Sequence, residues 1–251
     1  MLSLATIFGK RPVVSVRNAA VGAALELISP VGADVNQYNI LDRQTTVSIS
    51  SSSADDDGAP AGTGALTVKI DGIDRTGAAV TETVTMNGQT AVVTTKTYMK
   101  VTAVTALTFG VGAANAGDLY VIRAGESTLT AGVPNATTNM LVKVPVGEGQ
   151  AQTGIWTIPS NVQNTYYKIK SLEIGVRGGA GIVHVQVRPL SGTDATEVKR
   201  SEVIADFFTI GPVTLDLSHI PAIVGPADIE LRALSAGATI MTAKMVLERQ
   251  S

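Results

Sequence analysis

A strict two-residue alternation of apolar and polar side chains between Ala65 and Leu107 constrains the fold of this chain more than any other feature. Residues 66–70 set Leu, Val and Ile against Thr and Lys, and residues 80–86 set Val and Met against Thr, with Glu82 the exception on the apolar side. Because successive side chains of a strand point to opposite faces, each run predicts a β-strand with one apolar face.

Turn signals join these runs into a predicted β-meander. The segment 74–77 separates the first two runs, and Asn87-Gly88 favours the positive φ of a tight hairpin turn before the β-rich segment 92–104. A similar pattern appears nearer the C-terminus, where the turn 178–181 joins two more alternating runs and predicts a second meander.

Length and composition point to two all-β domains. A chain of 251 residues is long enough for two cores, and its 45% hydrophobic but only 4% aromatic content requires cores of Val, Ile, Leu, Ala and Met. We expect an N-terminal arm (1–12), an N-terminal β-domain (13–148) and a C-terminal β-domain (149–251), because glycine and polar residues cluster at 147–150. Each domain is predicted to be β-sandwich or jelly-roll-like, with Gly-rich loops.

Charge and cysteine content argue against several classes of function. The net charge is −2 and no long basic run occurs, so we expect no nucleic-acid partner. The chain has no cysteine, which removes disulfides and Cys-containing zinc sites. No apolar run approaches the roughly 20 residues of a membrane-spanning helix. A secretory signal is not expected either, because no basic segment precedes the short apolar N-terminal stretch. We therefore expect a soluble protein made in the cytoplasm, without membrane partner or cofactor.

Few residues offer chemistry. The acidic run 55–57 invites a calcium hypothesis, but its spacing is not that of an EF-hand loop, so a solvated acidic loop is the preferred interpretation. The histidines, the strand carboxylates and the aromatic residues also have structural interpretations that need no catalytic or binding role. We expect His184 to be a surface histidine, Glu82, Asp216 and Glu230 to be solvated or interface carboxylates, and Trp156, Tyr166 and Tyr167 to be core or interface residues and not a sugar platform. These residues are His184, His219, Glu82, Asp216, Glu230, Trp156, Tyr166 and Tyr167.

No catalytic, cofactor-binding or metal-binding residue is assigned, and the protein is predicted not to be an enzyme. The one proposed contact is the apolar set Leu2, Leu4, Ile7 and Phe8 in the N-terminal arm, which lacks turn signals that would fold it back. Two interpretations stay open: the arm anchors the subunit on a neighbour, or it is an edge strand of its own domain.

Four segments carry a resemblance to a known family. Residues 68–74 and 81–92 read V-K-I-D-G-I-D and T-E-T-V-T-M-N-G-Q-T-A-V, residues 115–119 read N-A-G-D-L, and residues 155–159 read I-W-T-I-P. Together they resemble the turn and strand pattern of virion structural proteins of tailed bacteriophages, in particular head decoration or cement-like β-proteins.

The resemblance implies a place in a virus particle and no catalytic site. The implied function is a capsid decoration or cement protein that stabilises the head lattice after synthesis in the host cytoplasm. Its implied partners are further copies of itself, with a trimer suggested by analogy, and the major capsid protein or other virion proteins. The alternatives are a tail, neck or fibre component, or a carbohydrate-binding module.

Overall fold

The computed structural model of the chain describes ten segments of the sequence. They are residues 13–21, 26–28, 40–74, 78–125, 128–136, 140–158, 166–189, 202–224, 227–237 and 239–250. The N-terminal arm, with its four proposed contact residues, lies outside these segments.

The described residues form strands and turns and no helix, so the prediction of an all-β fold is confirmed. Nineteen strands follow one another along the described chain. They are β1 Val13–Val21, β2 Glu26–Leu27, β3 Ile40–Ser51, β4 Ala65–Ile73, β5 Ala79–Thr85, β6 Val92–Phe109, β7 Leu119–Arg123, β8 Leu129–Thr130, β9 Val133–Pro134, β10 Met140–Val144, β11 Gln150–Gln152, β12 Ile155–Ile158, β13 Tyr166–Arg177, β14 Gly181–Pro189, β15 Glu202–Thr209, β16 Val213–Asp216, β17 Ile223–Val224, β18 Ala227–Ser235 and β19 Thr239–Gln250.

The chain divides into two compact units, and one of them is discontinuous. Met1–Ile28 and Gly154–Ser251 form what we call the sandwich unit, and Ser29–Thr153 forms the inserted unit. This division differs from the predicted domains 13–148 and 149–251. The difference arises because β1 pairs along its length with β19, the last strand of the chain, and so belongs with the C-terminal residues.

The sandwich unit consists of two antiparallel sheets that share one core. Sheet A has the order β1-β19-β13-β16, with β17 beside β13, and sheet B has the order β12-β18-β14-β15, with β2 beside β18. Alternate residues of both sheets meet in one cluster of buried aliphatic side chains, to which sheet A contributes Leu172 and Met245 and sheet B contributes Val185 and Ile229. Two facing apolar sides with polar outer sides explain the period-two pattern of these strands.

The predicted second meander is wrong in its pairing. The turn at 178–181 joins β13 to β14 as expected, but β13 lies in sheet A and β14 lies in sheet B. The turn therefore carries the chain from one sheet of the sandwich to the other. The predicted alternation of β14 is confirmed, since Val183 and Val185 face the core while His184 lies on the opposite face of the strand.

The inserted unit is built on a single seven-stranded antiparallel sheet of order β10-β7-β3-β6-β4-β5, with β11 beside β6. The 18-residue strand β6 pairs first with β3 and then with β4 and β11 along its length. Buried aliphatic residues and the ring of Tyr98 fill the core of this unit. A small hairpin, β8–β9, contributes Leu129 to a second cluster with Tyr120, Ile122 and Met140.

The predicted hairpin at Asn87-Gly88 is also wrong, although the predicted positive φ is present at Gly88. Gly88 has φ of +54°, and the N–H of Thr90 donates to the carbonyl of Asn87 in a turn. Yet β6 pairs with β4 and not with β5, because the turn is engaged elsewhere. The N–H of Gly88 donates to the carbonyl of Asp56, and its carbonyl accepts the N–H of Ser51.

The two chain crossings between the units meet at one position of sheet B. The N–H of Ile28 donates to the carbonyl of Leu231 at 3.0 Å, and the N–H of Leu231 donates to the carbonyl of Gly154 at 2.6 Å. In an ordinary antiparallel pair, a single residue of the neighbouring strand would both donate to the Leu231 carbonyl and accept the Leu231 N–H. Leu27 precedes this position opposite Arg232, and β12 continues beyond it along the same edge of β18. Thus β2 and β12 are two halves of one edge strand.

Glycine is required where the halves meet. A Cβ at residue 154 would lie 2.7 Å from the carbonyl oxygen of Ile28 and 2.9 Å from that of Leu231. Both atoms belong to backbone, which cannot move aside without breaking the ladder. The absence of a side chain at Gly154 therefore lets two residues share one rung.

Removing residues 29–154 and joining Ile28 directly to Ile155 should leave a folded sandwich unit. In this variant Ile28 alone would make both hydrogen bonds to Leu231, and Ile155 would keep its register opposite Glu230. We expect a β-type circular dichroism spectrum and one cooperative unfolding transition.

The control for this prediction is Gly154→Val in the full chain. The added side chain meets backbone, so we expect it to lower the free energy of unfolding of the sandwich unit by about 1 to 3 kcal/mol. A shortened chain that stays unfolded would contradict the single-strand interpretation.

Candidate functional site

Asp56 is buried, and it is the centre of a cluster of loops in the inserted unit. Its Oδ1 accepts the backbone N–H groups of Ala65 at 2.6 Å and Ala116 at 2.8 Å. Its Oδ2 accepts the N–H of Gly117 at 2.9 Å and the hydroxyl of Ser51 at 2.5 Å. Four donors satisfy a carboxylate that would otherwise be very costly to bury. The expectation of a solvated acidic loop is therefore wrong for Asp56.

We define the loop cluster as residues 51–58, 62–65, 86–90, 110–118 and 145–149. Hydrogen bonds among backbone groups hold these loops against one another in addition to the bonds made by Asp56. The sequence offered a weak signal of this packing in its glycines. A Cβ at residue 64 would lie 2.1 Å from Oδ1 of Asp56, and one at residue 117 would lie 2.5 Å from the N atom of Ser53.

Asn115 ties a third loop into the cluster. Its Nδ2 donates to the carbonyls of Gly117 at 2.7 Å and Pro145 at 2.9 Å, and its Oδ1 accepts the N–H of Gly149 at 2.9 Å. The backbone carbonyl of Asn115 also accepts the N–H of Gly147. The first residue of the N-A-G-D-L segment thus holds the loop 145–149 by both its side chain and its backbone.

Asp118 completes the cluster at the start of β7. Its backbone pairs with Ser52, while its Oδ1 accepts the N–H of Val146 at 2.9 Å and its Oδ2 lies 2.7 Å from Nζ of Lys143. Burial raises the pKa of the Asp118 carboxyl, but the bonds from Lys143 and Val146 outweigh burial and hold that pKa below its ordinary value of 3.8. For the neighbouring Tyr120, burial and the Asp118 charge raise the pKa to about 12.

Glu82, the exception in the alternating pattern, closes one edge of the inserted sheet. Its carboxylate accepts the N–H and hydroxyl of Thr95 and the N–H of Lys96 at 2.8 to 3.1 Å. In return, Nζ of Lys96 donates to the carbonyl of Thr81 at 2.6 Å. Side chains thereby connect edge strand β5 to the first half of β6. Partial burial raises the pKa of Glu82, but the hydrogen bonds from the backbone of Thr95 and Lys96 lower it by more, so this pKa lies below its ordinary value.

The other carboxylates considered as a glycosidase pair lie on different sheets. Asp216 is on β16 of sheet A and accepts the N–H of Ser218 at 2.8 Å. Glu230 is on β18 of sheet B, fully buried, with its Oε2 3.9 Å from Nη1 of Arg232. The expectation of a solvated or interface carboxylate is therefore wrong for Glu230, which sheet B buries, whereas Asp216 is exposed.

The two histidines have different surroundings. The side chain of His184 is only 16% exposed, and its Nδ1 lies 3.7 Å from Oδ1 of Asp206 on the neighbouring strand. His184 therefore lies half-buried on the outer face of β14, between β18 and β15, on the polar side of the strand that the alternation predicts. His219 is exposed in the turn after β16.

The aromatic residues considered as a sugar platform do not form one surface. The rings of Trp156 and Tyr167 meet edge to face with centroids 5.9 Å apart, and Tyr167 is buried in the sandwich core. Burial raises the pKa of Tyr167, and the charge of Arg249 partly offsets this rise. Tyr166 is half exposed on the other face of β13. Core packing accounts for Trp156 and Tyr167.

The outer face of sheet B carries an apolar row that ends in an exposed side chain. Ile182 on β14 lies directly between Leu234 on β18 and Phe208 on β15, and Phe208 is 71% exposed. Ile210, directly after β15, is 77% exposed, and Val203 at the start of β15 is also exposed. We call Val203, Phe208 and Ile210 the β15 strip. The strip is not evident from the sequence, because apolar residues in a strand predict burial.

Within the described part of the chain, no group of three or more His, Asp or Glu side chains is arranged to hold a metal ion. The same residues contain no helix long and apolar enough to cross a membrane.

Replacing Asp56 by Ala should strongly destabilise the inserted unit. The change leaves the buried N–H groups of Ala65 and Gly117 and the partly buried N–H of Ala116 without their acceptor, and we expect a loss of about 3 kcal/mol or more in the free energy of unfolding. Asp56→Asn should also destabilise, since an amide NH₂ would face backbone donors. Chemical denaturation measures both effects.

The matched control is Asp55→Ala, because Asp55 is the exposed neighbour of Asp56 in the same acidic run. It should change the free energy of unfolding by no more than about 0.5 kcal/mol. Equal effects at positions 55 and 56 would contradict the assigned role of the Asp56 carboxylate.

The stability of the inserted unit should fall in acid through Asp118. Its folded-state pKa is depressed, so its contribution is fully present above the ordinary value of 3.8 and is lost as the pH falls through the folded value. Thermal unfolding between pH 7 and pH 2 should therefore show a weaker acid dependence in Asp118→Asn than in the unmodified chain. Asp55→Asn is the control, and identical profiles for Asp118→Asn and the unmodified chain would rule out this linkage.

Comparisons with known proteins add little to this description. No protein-family model matches the chain, and no curated protein matches it. Among solved structures, a chain of "The 2.6A structure of Infectious Bursal Virus Derived T=1 Particles" aligns with 96% of this chain and 75% of its own length. The identity is 8% and the TM-score is 0.16, and a likeness of this size carries no argument.

Proposed function

We propose that the chain is a structural component of a bacteriophage virion, and specifically a capsid decoration or cement protein that stabilises the head lattice. The proposal rests on the hydrogen bonds that polar residues make in the segments that resemble virion proteins. Glu82, Asn115 and Asp118 each bond backbone groups of a neighbouring loop or strand. These three residues hold neighbouring loops and strands together, which is a structural use of polar groups.

The apolar surface of the sandwich unit supports the same proposal. The β15 strip places Val203, Phe208 and Ile210 in solvent, and large exposed apolar side chains grouped on one strand are typical of contact surfaces. A protein that assembles on a lattice requires such a surface, and burial of the strip would stabilise the assembly.

Co-sedimentation with separated parts of the particle tests this proposal. Heads and tails are purified from particles made in cells that produce the chain, stripped of it and mixed with the recombinant protein. We expect the protein to sediment with heads and to raise the temperature at which the heads release their DNA, because each bound copy stabilises the lattice by mass action.

Sedimentation with tails alone would instead support the tail, neck or fibre alternative. Sedimentation with neither part, together with the absence of the chain from purified particles, would refute a virion role. An unrelated β-protein of similar size and charge serves as the control for non-specific binding to heads.

A further inference from the structure

We propose that the N-terminal arm of one copy, residues 1–12, adds as a strand to the edge of β15 in a second copy. The choice of a second copy rests on the proposed function, in which subunits assemble through contacts with one another. The surface itself is argued from the structure of the sandwich unit and from the sequence of the arm.

The first argument is the edge. Among the described strands, β15 pairs with β14 and with no other, so it ends sheet B. An edge strand presents alternate N–H and C=O groups that can pair with a further strand. A β-bulge interrupts β15 opposite Val185 and Gln186, but Asp206–Thr209 beyond the bulge is regular. This regular segment includes Phe208, the centre of the β15 strip.

The second argument is the match of apolar side chains. Phe208 is on the outer face of sheet B in the same row as Ile182 and Leu234, and Ile210 follows it. The arm carries Leu2 and Leu4 at the two-residue spacing that places both side chains on one face of a strand. An added arm strand could therefore extend the existing apolar row beyond Phe208.

The third argument is charge complementarity. The strand β15 contains Glu202 and Asp206 and no basic residue, and the side chain of Asp206 is 58% exposed. The arm contains Lys10 and Arg11 and no acidic residue. Opposite charges on the two segments favour their pairing, whereas two β15 edges brought together would repel each other.

Cross-linking between two different preparations tests the contact, because the native chain has no cysteine. One preparation carries Leu4→Cys and the other, which also carries a mass tag, carries Phe208→Cys. We expect a short bis-maleimide reagent to give a mixed dimer containing one chain of each kind. The matched control replaces Phe208→Cys by Val224→Cys, an exposed apolar position on β17 of sheet A.

Sedimentation equilibrium supplies a second, independent measurement. Phe208→Asp should raise the concentration at which half of the chains associate by at least about tenfold, and Val224→Asp should leave it unchanged. Removal of residues 1–10 should match the effect of Phe208→Asp. Because Phe208 is exposed, its substitution tests the proposal even if the truncated chain does not fold.

Three results would overturn the proposal. The first is a mixed dimer that forms equally well with Val224→Cys, and the second is self-association that Phe208→Asp leaves intact. The third uses a single chain with both Leu4→Cys and Phe208→Cys: a cross-link that forms within this chain but not between the two preparations. The proposed function fails separately: a chain that sediments with heads but gives none of the expected cross-link removes only the arm contact. A chain that self-associates through β15 but binds no particle removes only the virion role.

Discussion

The buried carboxylate of Asp56 is the interaction on which the order of the inserted unit depends. The segments of the loop cluster lie largely outside the sheet, so sheet pairing does not satisfy all of their backbone groups, and a buried N–H without an acceptor is costly. The Asp56 carboxylate accepts the N–H of Ala65 at the start of β4 and those of Ala116 and Gly117 in the loop before β7, two segments far apart in sequence. Charge-assisted bonds are stronger than neutral ones, so this single group connects the end of β3 to the starts of β4 and β7. Asn115 and Asp118 then extend the order to the loop 145–149.

The sandwich unit is held chiefly by two sheets that cover each other, and the edge strand formed by β2 and β12 is interrupted at one position of sheet B. At that position Ile28 donates to Leu231 and Gly154 accepts from it, so the sheet has the bonding of an uninterrupted strand. The inserted unit therefore costs the sandwich no hydrogen bond. The loop cluster orders the inserted unit, and the packing of two sheets orders the sandwich unit.

Much of the strand content followed from local pattern, and most of the pairing did not. Alternation depends only on which face of a strand is buried, so β4, β5 and β14 could be predicted from their own residues. Pairing depends on distant partners: Gly88 has the predicted positive φ, yet its backbone bonds Asp56 and Ser51 and no hairpin forms. Asp56 itself was predicted to be solvated because it lies in an acidic run, and no local spacing reveals donors some 60 residues away. The discontinuous unit was missed for the same reason, since only the pairing of β1 with β19 shows it.

The edge strands β5, β16 and β15 differ in the side chains that they expose, and this contrast distinguishes the β15 strip. In the inserted unit, edge strand β5 exposes threonines, and Glu82 and Lys96 join it to β6 by side-chain bonds. In sheet A, edge strand β16 exposes Thr214 and Asp216. Polar side chains and charges of this kind are the usual protection of a sheet edge against further pairing. At β15 the bulge and Asp206 give partial protection, but Phe208 is left in solvent beside an apolar row. A chain that seals one edge and keeps another apolar has a surface suited to a specific partner.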